Sequence, residues 1–208
     1  MTGAILVGGH SRRMQGKDKS LLLRDGERVV AHLAGMLREL CGSCALVARE
    51  EQLPALQALQ ADALYADLFP QCGPLGGLYT VLEETEDDVF LAACDLPFLE
   101  RPLLERLLLE FRLHAQKIFA VVPRTPVPEA ERAADAEPWR IEPLCAIWSR
   151  HCRRPAYIAL EAGELSVSAF ARQVQARYVE LTAEEAAQLR NINTREDLSG
   201  AGGVLEIL

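Results

Sequence analysis

The sequence contains no apolar run approaching the ~20 residues that a membrane-spanning helix needs. Met1–Gly3 carries no basic side chain, so the short apolar stretch Ala4–Val7 is not expected to be a secretion signal. Basic residues are in deficit, since 22 Lys and Arg stand against 30 Asp and Glu. That balance disfavours nucleic acid as the main partner, because neutralising phosphates needs basic side chains. We therefore expect a cytoplasmic protein with neither a membrane nor a nucleic acid as its partner.

A second closely spaced cysteine pair, which would complete a structural zinc site, is also lacking. Among the six cysteines, Cys41 and Cys44 alone have the spacing of a redox motif, and a thiol-redox protein is therefore one alternative function. This pair follows a helical pattern, whereas a thioredoxin-type site lies at a helix N-terminus, where the thiol pKa is lowered. We expect reduced cysteines that serve in packing. The four histidines show no spacing typical of a metal site or a proton relay.

Half of the 208 residues are hydrophobic, which is ample for one large domain with a buried core. Strand and helix patterns alternate along the chain. The predicted strands are Ala4–Val7, Ser43–Ala48, Ala63–Tyr65, Asp88–Ala93, Ile118–Val122, Ile141–Trp148 and Tyr178–Leu181. The predicted helices are Val29–Leu40, Leu53–Leu59, Gly76–Glu84, Pro102–Leu113, Pro155–Leu160 and Ser168–Val174, and the proline-rich segment 123–138 is predicted to be a loop. This alternation predicts an α/β fold of three layers, α/β/α and Rossmann-like, with a mostly parallel central sheet.

Ligands of such sheets bind beyond the carboxyl ends of the strands. Polar residues follow three of the predicted strands at that position: the segment 8–20, Asp67 and Asp95. A carboxylate at the end of a buried strand is well placed to hold Mg²⁺, which binds through one or two carboxylates and substrate phosphates. Asp95 is the candidate ligand, and the alternative is a turn residue or a helix N-cap.

The segment 8–20 fits neither the dinucleotide pattern GxGxxG nor the P-loop pattern GxxxxGK[ST]. It nevertheless combines a bare Gly8-Gly9 backbone with a local charge of +3. Consecutive glycine N–H groups can form an anion-binding concavity. A hydroxyl donor and four cations follow within this segment: Ser11, Arg12, Arg13, Lys17 and Lys19. The segment is therefore predicted to hold a small anionic ligand such as a triphosphate.

Five motifs occur in a fixed order: LxGGxSxRM…DK at 6–19, D…GPLGG at 67–77, CDLP at 94–97, EPLCAIW at 142–148 and NINTREDL at 191–198. Together they resemble the molybdenum cofactor guanylyltransferase family, the MobA-like nucleotidyltransferases. The resemblance spans nearly the whole chain. It implies one nucleotidyltransferase domain over 1–208, in which 1–100 mainly binds nucleotide and 101–208 mainly binds the acceptor.

The resemblance also implies roles for individual residues. The backbone of Leu6, Val7, Gly8 and Gly9 would contact the nucleotide, with Ser11 as a donor in the same loop. Lys19 and Arg13 would meet the triphosphate, Asp67 would lie on the nucleoside side, and Asp95 would bind Mg²⁺. Residues 142–144, Asn191 and Asn193 match the part that faces the pterin acceptor. The chain departs from the family pattern at Gln15, where glycine is usual, at Arg49, where an asparagine can help to hold GTP, and in the long segment 123–138.

The implied reaction transfers GMP from GTP to the terminal phosphate of molybdopterin, or Mo-molybdopterin, and releases pyrophosphate. Mg²⁺ is the implied cofactor, and other cofactor-biosynthesis proteins and apo-molybdoenzymes are the implied further partners. A sister transferase that uses CTP or another phosphorylated acceptor is the first alternative. A non-catalytic nucleotide-binding partner is the second.

Overall fold

The computed structural model describes residues 1–7, 21–59, 61–127, 132, 137–192, 197 and 205–207. The strands are β1 Thr2–Leu6, β2 Leu22–Arg24, β3 Glu27–Arg28, β4 Cys44–Ala48, β5 Ala63–Ala66, β6 Val89–Ala93, β7 Ala120–Pro126, β8 Trp139–Ile141, β9 Cys145–Trp148, β10 Ala176–Glu180 and β11 Leu205–Ile207. The helices are α1 Val29–Cys41, α2 Leu53–Leu56, α3 Gly73–Thr85, α4 Arg101–His114, α5 Arg153–Glu161, α6 Val167–Gln173 and α7 Ala183–Gln188. Short 3₁₀ turns occupy Glu50–Gln52, Gln57–Leu59 and Arg150–Cys152.

The central sheet has the strand order β10-β7-β9-β6-β1-β4-β5, with β8 beside β7. Neighbouring strands from β6 to β5 are parallel, as are β10 and β7. Strand β9 is antiparallel to both of its neighbours, and β8 is antiparallel to β7. The predicted mostly parallel sheet is therefore confirmed, with an antiparallel insertion that alternation alone did not indicate.

Each face of the sheet is covered by helices, which confirms the three layers. Successive side chains of a strand point to opposite faces. Accordingly, Ile5 packs in one buried cluster with residues of α1 and α4, while Ala4 and Leu6 pack in a second cluster with residues of α3, α5 and α6. Apolar burial on both faces of the sheet stabilises the fold by roughly 25 cal/mol for each Å² removed from water.

Helix α4 shows how closely the apolar spacing predicted a local element. Pro102 lies in its first turn, where the missing N–H is not needed. Its inner side chains are Leu104, Leu107, Leu108 and Phe111, and all four are buried against the sheet. The observed bounds differ from the prediction by one residue at each end.

Two predictions around the acceptor region were wrong. The strand predicted over Ile141–Trp148 is broken into β8 and β9, because a turn at 143–144 interrupts it and Pro143 has no N–H to continue a ladder. The loop predicted over 123–138 is in part a strand, since β7 continues to Pro126 and pairs with β8. The remaining residues of that segment lie largely outside the described part of the chain.

A second, small sheet was not predicted. It joins β11, β2 and β3 in antiparallel order beside α1. Its strands are only two or three residues long, too short for a period-two pattern to stand out. Arg24 of β2 donates to the carbonyl oxygen of Pro97 over 2.7 Å, which ties this sheet to the turn that follows β6.

Candidate nucleotide and acceptor site

The carboxyl ends of β6, β1, β4 and β5 form one edge of the central sheet. Backbone N–H groups donate to carbonyl oxygens between these ends: Val7 to Val47 (2.8 Å), Asp67 to Ala48 (2.8 Å) and Cys94 to Leu6 (3.3 Å). Asp67 follows β5 and Asp95 follows β6, so three strand spacings, about 14 Å, separate them along the edge. Leu6 and Val7 lie between the two aspartates, where the segment 8–20 begins.

Asp67 is held by its own turn and by the next helix. Its Oδ1 accepts from the backbone N–H of Phe69 over 2.9 Å and from the hydroxyl of Thr80 over 3.3 Å. Burial raises the pKa of this carboxyl, and the two hydrogen bonds oppose that rise. Among the described residues, both hydrogen bonds go to Oδ1, so Oδ2 is the oxygen available for a ligand.

Thr80 is a positioning residue that sequence reasoning missed. It is fully buried in α3. Its hydroxyl accepts from the Leu68 N–H over 2.9 Å and donates to the Gly76 carbonyl over 2.9 Å as well as towards Asp67. A threonine inside an apolar helical stretch is a weak signal, because its hydroxyl often bonds to the carbonyl one turn earlier.

Two glycines of the GPLGG motif bring α3 against the strand ends. A Cβ on Gly76 would lie 2.6 Å from the Phe69 carbonyl oxygen and 3.3 Å from Asp67 Oδ1. A Cβ on Gly77 would lie 2.8 Å from Cδ2 of Leu6. The motif is therefore explained by close packing of a helix on the Asp67 turn and on the end of β1.

Asp95 lies in the turn directly after β6 and is only 8% exposed. It is not the N-cap of α4, because that position belongs to Glu100. The backbone carbonyl of Asp95 accepts from the N–H of Ile192 over 3.2 Å. This bond brings Asn191, from the far end of the chain, to the edge that carries Asp95.

The donor set at Asp95 suits a cation that is held mainly by its substrate. Across the part of the chain that the structure describes, no three His, Cys, Asp or Glu side chains group together as metal ligands. Mg²⁺ binds through one or two carboxylates together with waters and substrate phosphates. A single buried carboxylate at a strand end fits that pattern, and the role of Asp95 as a Mg²⁺ ligand stays a prediction.

Phe98 links the Asp95 turn to two other segments. The guanidinium of Arg24 lies 5.7 Å from the centre of its ring, and that of Arg190 lies 5.2 Å from it. Cation–π contacts of this kind contribute about 0.5–1 kcal/mol each at exposed positions. The ring thus connects the small sheet, the Asp95 turn and the Asn191 segment.

A cavity of about 200 Å³ has Leu96, the residue that follows Asp95, in its wall. It is lined by Leu96, Ile141, Glu142, Pro143, Leu144, Cys145, Ser168, Leu189 and Asn191. The structure therefore brings together residues 142–144 and Asn191, which the resemblance had assigned to the acceptor. Asn193 lies outside the described residues.

Several predicted ligand residues cannot be placed. Gly8, Gly9, Ser11, Arg13 and Lys19 all lie in the segment 8–20, outside the described residues. Their roles stay predictions.

Arg49 follows β4 at the same edge of the sheet. Its guanidinium contacts Glu51 over 2.8 Å and Gln52 over 3.3 Å, so it is engaged within the turn after its own strand. Replacement of the family's asparagine by Arg49 therefore gains no support from this geometry.

The cysteine pair lies away from this edge. Cys41 ends α1 and Cys44 begins β4. Burial raises the pKa of Cys41 to about 11 and that of Cys44 to about 12, the opposite of the shift that a reactive thiol needs.

In the described part of the chain, no helix is both long enough and apolar enough to cross a membrane.

Residues 3–180 match the family model of the MobA-like NTP transferase domain. The chain belongs to this family. A molybdenum cofactor guanylyltransferase of Desulfosudis oleivorans is 26% identical over 213 residues, covering 99% of this chain and 96% of the relative. One from Pseudomonas entomophila is 35% identical over 144 residues, covering 62% and 73%. The crystal structure of molybdopterin-guanine dinucleotide biosynthesis protein A from Archaeoglobus fulgidus superimposes with a TM-score of 0.73 at 22% identity, covering 98% of both chains.

The family membership identifies the chain as a nucleotidyltransferase and confirms the resemblance drawn from the five motifs. The solved structure confirms the α/β fold. Ligands of α/β sheets bind beyond the carboxyl ends of the parallel strands, and Asp67 and Asp95 both lie at that edge.

Proposed function

We propose that this protein transfers GMP from GTP to the terminal phosphate of molybdopterin, or Mo-molybdopterin, and releases pyrophosphate. The product is molybdopterin guanine dinucleotide. The observation that carries the proposal is the carboxyl edge of the parallel strands, where Asp95 follows β6 and Asp67 follows β5 on either side of β1. Leu96, the residue after Asp95, lines the cavity that also includes residues 142–144 and Asn191. The relatives' names give the same reaction class.

The two aspartates would contact different parts of the nucleotide. Asp67 lies beside the packed N-terminal part of α3 and would accept hydrogen bonds from the guanine nucleoside. Asp95, about 14 Å along the edge, would face the phosphates. Residues 1–100 then hold mainly the nucleotide and residues 101–208 mainly the acceptor.

The reaction joins two anions, so charge neutralisation and positioning dominate its catalysis. The acceptor phosphate is already a nucleophile, and no strong general base is needed. Arg13 and Lys19 would neutralise the triphosphate oxygens and the departing pyrophosphate. Asp95 would hold Mg²⁺, which when bound would supply positive charge that neutralises the phosphates. Support comes from the turn after β6, which carries Asp95 and continues into Leu96 in the wall of the cavity.

The partners follow from this chemistry. GTP and molybdopterin are the proposed substrates, and other cofactor-biosynthesis proteins and apo-molybdoenzymes would supply the acceptor and receive the product. We place the reaction in the cytoplasm.

The experiment is pyrophosphate release by the full chain with Mg²⁺, molybdopterin and either GTP or CTP. Release with GTP, and little with CTP, is the expected result. Preference for CTP would favour the sister transferase. Nucleotide binding without any release would favour the non-catalytic partner and contradict the proposal.

A further inference from the structure

Glu142 lies at the break between β8 and β9, and two backbone hydrogen bonds hold it there. Its N–H donates to the carbonyl of Pro123 over 2.9 Å, and its own carbonyl accepts from the N–H of Cys145 over 3.1 Å. Neither the β8 ladder nor the β9 ladder includes it. Because both backbone groups are bonded, the position of this residue is well defined, and Glu142 is one of the residues that line the acceptor cavity.

The acceptor cavity is shaped for one part of a ligand. Whole-ligand pockets usually have volumes of about 300–1,000 Å³, and this one has about 200 Å³. Leucine and isoleucine residues form much of its lining: Leu96, Ile141, Leu144 and Leu189. The polar residues in the lining are Glu142, Ser168 and Asn191. A flat ring system with a polar edge matches this combination.

The Glu142 carboxylate is partly buried, and no hydrogen bond or ion pair to it is found among the described residues. Burial raises its pKa, and the nearby charge of Arg140 opposes that rise. Partial burial of a carboxylate costs free energy, and a ligand that donates hydrogen bonds to it offsets part of that cost.

We propose that Glu142 selects the acceptor by accepting paired hydrogen bonds from the amino-pyrimidinone edge of its pterin ring. That edge presents an exocyclic amino group beside a ring N–H, two parallel donors that match the two oxygens of one carboxylate. This inference rests on the proposed function, and it assigns a specificity-determining residue within the same site.

The geometry of the neighbouring residues agrees with this orientation. Leu96 lines the cavity and follows Asp95 directly. A pterin with its amino edge on Glu142 and its phosphate-bearing side chain passing Leu96 would bring that phosphate to Asp95, where the nucleotide phosphates are proposed to lie. The apolar walls would contact the faces of the ring, and Ser168 or Asn191 would reach its remaining polar atoms.

The test compares two soluble probes that differ at the amino edge. The first probe is 6-hydroxymethylpterin, and the second is 6-hydroxymethyllumazine, which carries a carbonyl oxygen in place of the 2-amino group. A carboxylate would face that oxygen with no proton between them, and sites built for a hydrogen bond reject such analogues strongly. We expect the full chain to bind the pterin at least tenfold more tightly, as measured by ligand fluorescence.

Substitutions then assign the preference to Glu142. Glu142→Gln supplies one donor and one acceptor, which fits the lumazine edge, so the preference should disappear or reverse. Glu142→Ala should weaken pterin binding and leave little preference, and it serves as a second test if the glutamine variant does not fold. Glu161→Gln, at an exposed position on α5, is the matched control and should keep the wild-type preference. GTP binding should be unchanged in all three variants.

The opposing results are distinct. Wild-type preference retained in both Glu142 variants, or no binding of either probe by the wild-type chain, would overturn the assignment to Glu142. Molybdopterin-dependent pyrophosphate release in that same case would leave the proposed function standing. Pterin preference that depends on Glu142, combined with no release from any nucleotide, would support the recognition site and contradict the proposed transfer.

Discussion

A single methyl group at Gly76 should lower both the stability of the fold and the affinity for GTP, relative to the same change at a control position. The Cβ of Gly76→Ala would lie 2.6 Å from the Phe69 carbonyl oxygen, so backbone must move. The same Cβ would lie 3.3 Å from Asp67 Oδ1, so the movement reaches the proposed nucleoside-binding carboxylate. Gly35→Ala in α1 is the matched control, because its Cβ meets nothing within 4 Å.

The change in the free energy of unfolding follows from two opposing effects. Alanine is more favourable than glycine inside a helix by about 1 kcal/mol, which applies to both variants. Overpacking against backbone costs about 1–3 kcal/mol and applies to Gly76→Ala alone. Gly35→Ala should therefore be about 1 kcal/mol more stable than the wild type, and Gly76→Ala should be about 1–3 kcal/mol less stable than Gly35→Ala.

Urea unfolding with and without GTP measures both effects. Ligand stabilisation falls by about 1.4 kcal/mol for each tenfold loss of affinity. We expect GTP to stabilise the wild type and Gly35→Ala equally, and Gly76→Ala at least 1.4 kcal/mol less. Equal unfolding free energies and equal GTP effects in the two variants would refute the close approach of α3 to the Asp67 turn.

Three further outcomes are expected. Asp67→Asn should weaken GTP binding, yet at pH 7 it should unfold at no lower urea concentration than the wild type. Because burial raises the pKa of Asp67, the wild type loses stability as pH rises through that pKa. In urea titrations, the stability difference between the wild type and Asp67→Asn should vanish below pH ~3.9, where the carboxyl is protonated in the folded and unfolded states. Phe98→Ala should lower kcat more than Phe98→Leu does, because the ring positions the Asp95 turn between Arg24 and Arg190. Cys41→Ser should leave pyrophosphate release unchanged, and Cys41 should react slowly with iodoacetamide at pH 8, since its thiol has a pKa of about 11.

Each of these has a contradicting result. Strong destabilisation of Asp67→Asn at pH 7 would mean that the ionised carboxylate stabilises the fold. Identical kinetics in the two Phe98 variants would leave the ring a packing role alone. Loss of activity in Cys41→Ser would reopen the thiol-redox alternative.

The central sheet could be predicted from the sequence because its strands are short, apolar and separated by periodic helices. The helix predicted from Leu104, Leu107, Leu108 and Phe111 matches α4 within one residue at each end. The antiparallel strand β9 could not be derived in the same way, because a buried strand has the same apolar pattern in either direction. Strand direction depends on where the chain turns, and the strand predicted over Ile141–Trp148 leaves out the turn at 143–144.

The candidate site was predicted in part. Asp67 and Asp95 could be found because carboxylates at the ends of buried strands are conspicuous, and the fold places both on one edge. Thr80 was missed because its hydroxyl acts through the tertiary contact of α3 with the Asp67 turn. Glu142 was assigned to the acceptor only through the resemblance, and its place in the cavity depends on the break between β8 and β9.

The most direct test of the central claim is Mg²⁺-dependent pyrophosphate release from GTP and molybdopterin by the wild-type chain and by Asp95→Asn. Losing a preorganised group that stabilises transition-state charge costs about 10²–10³ in rate. We expect release by the wild type, and a loss of that size in Asp95→Asn with an unchanged unfolding curve. Near-normal release by Asp95→Asn at saturating Mg²⁺, or no release by the wild type, would contradict the account.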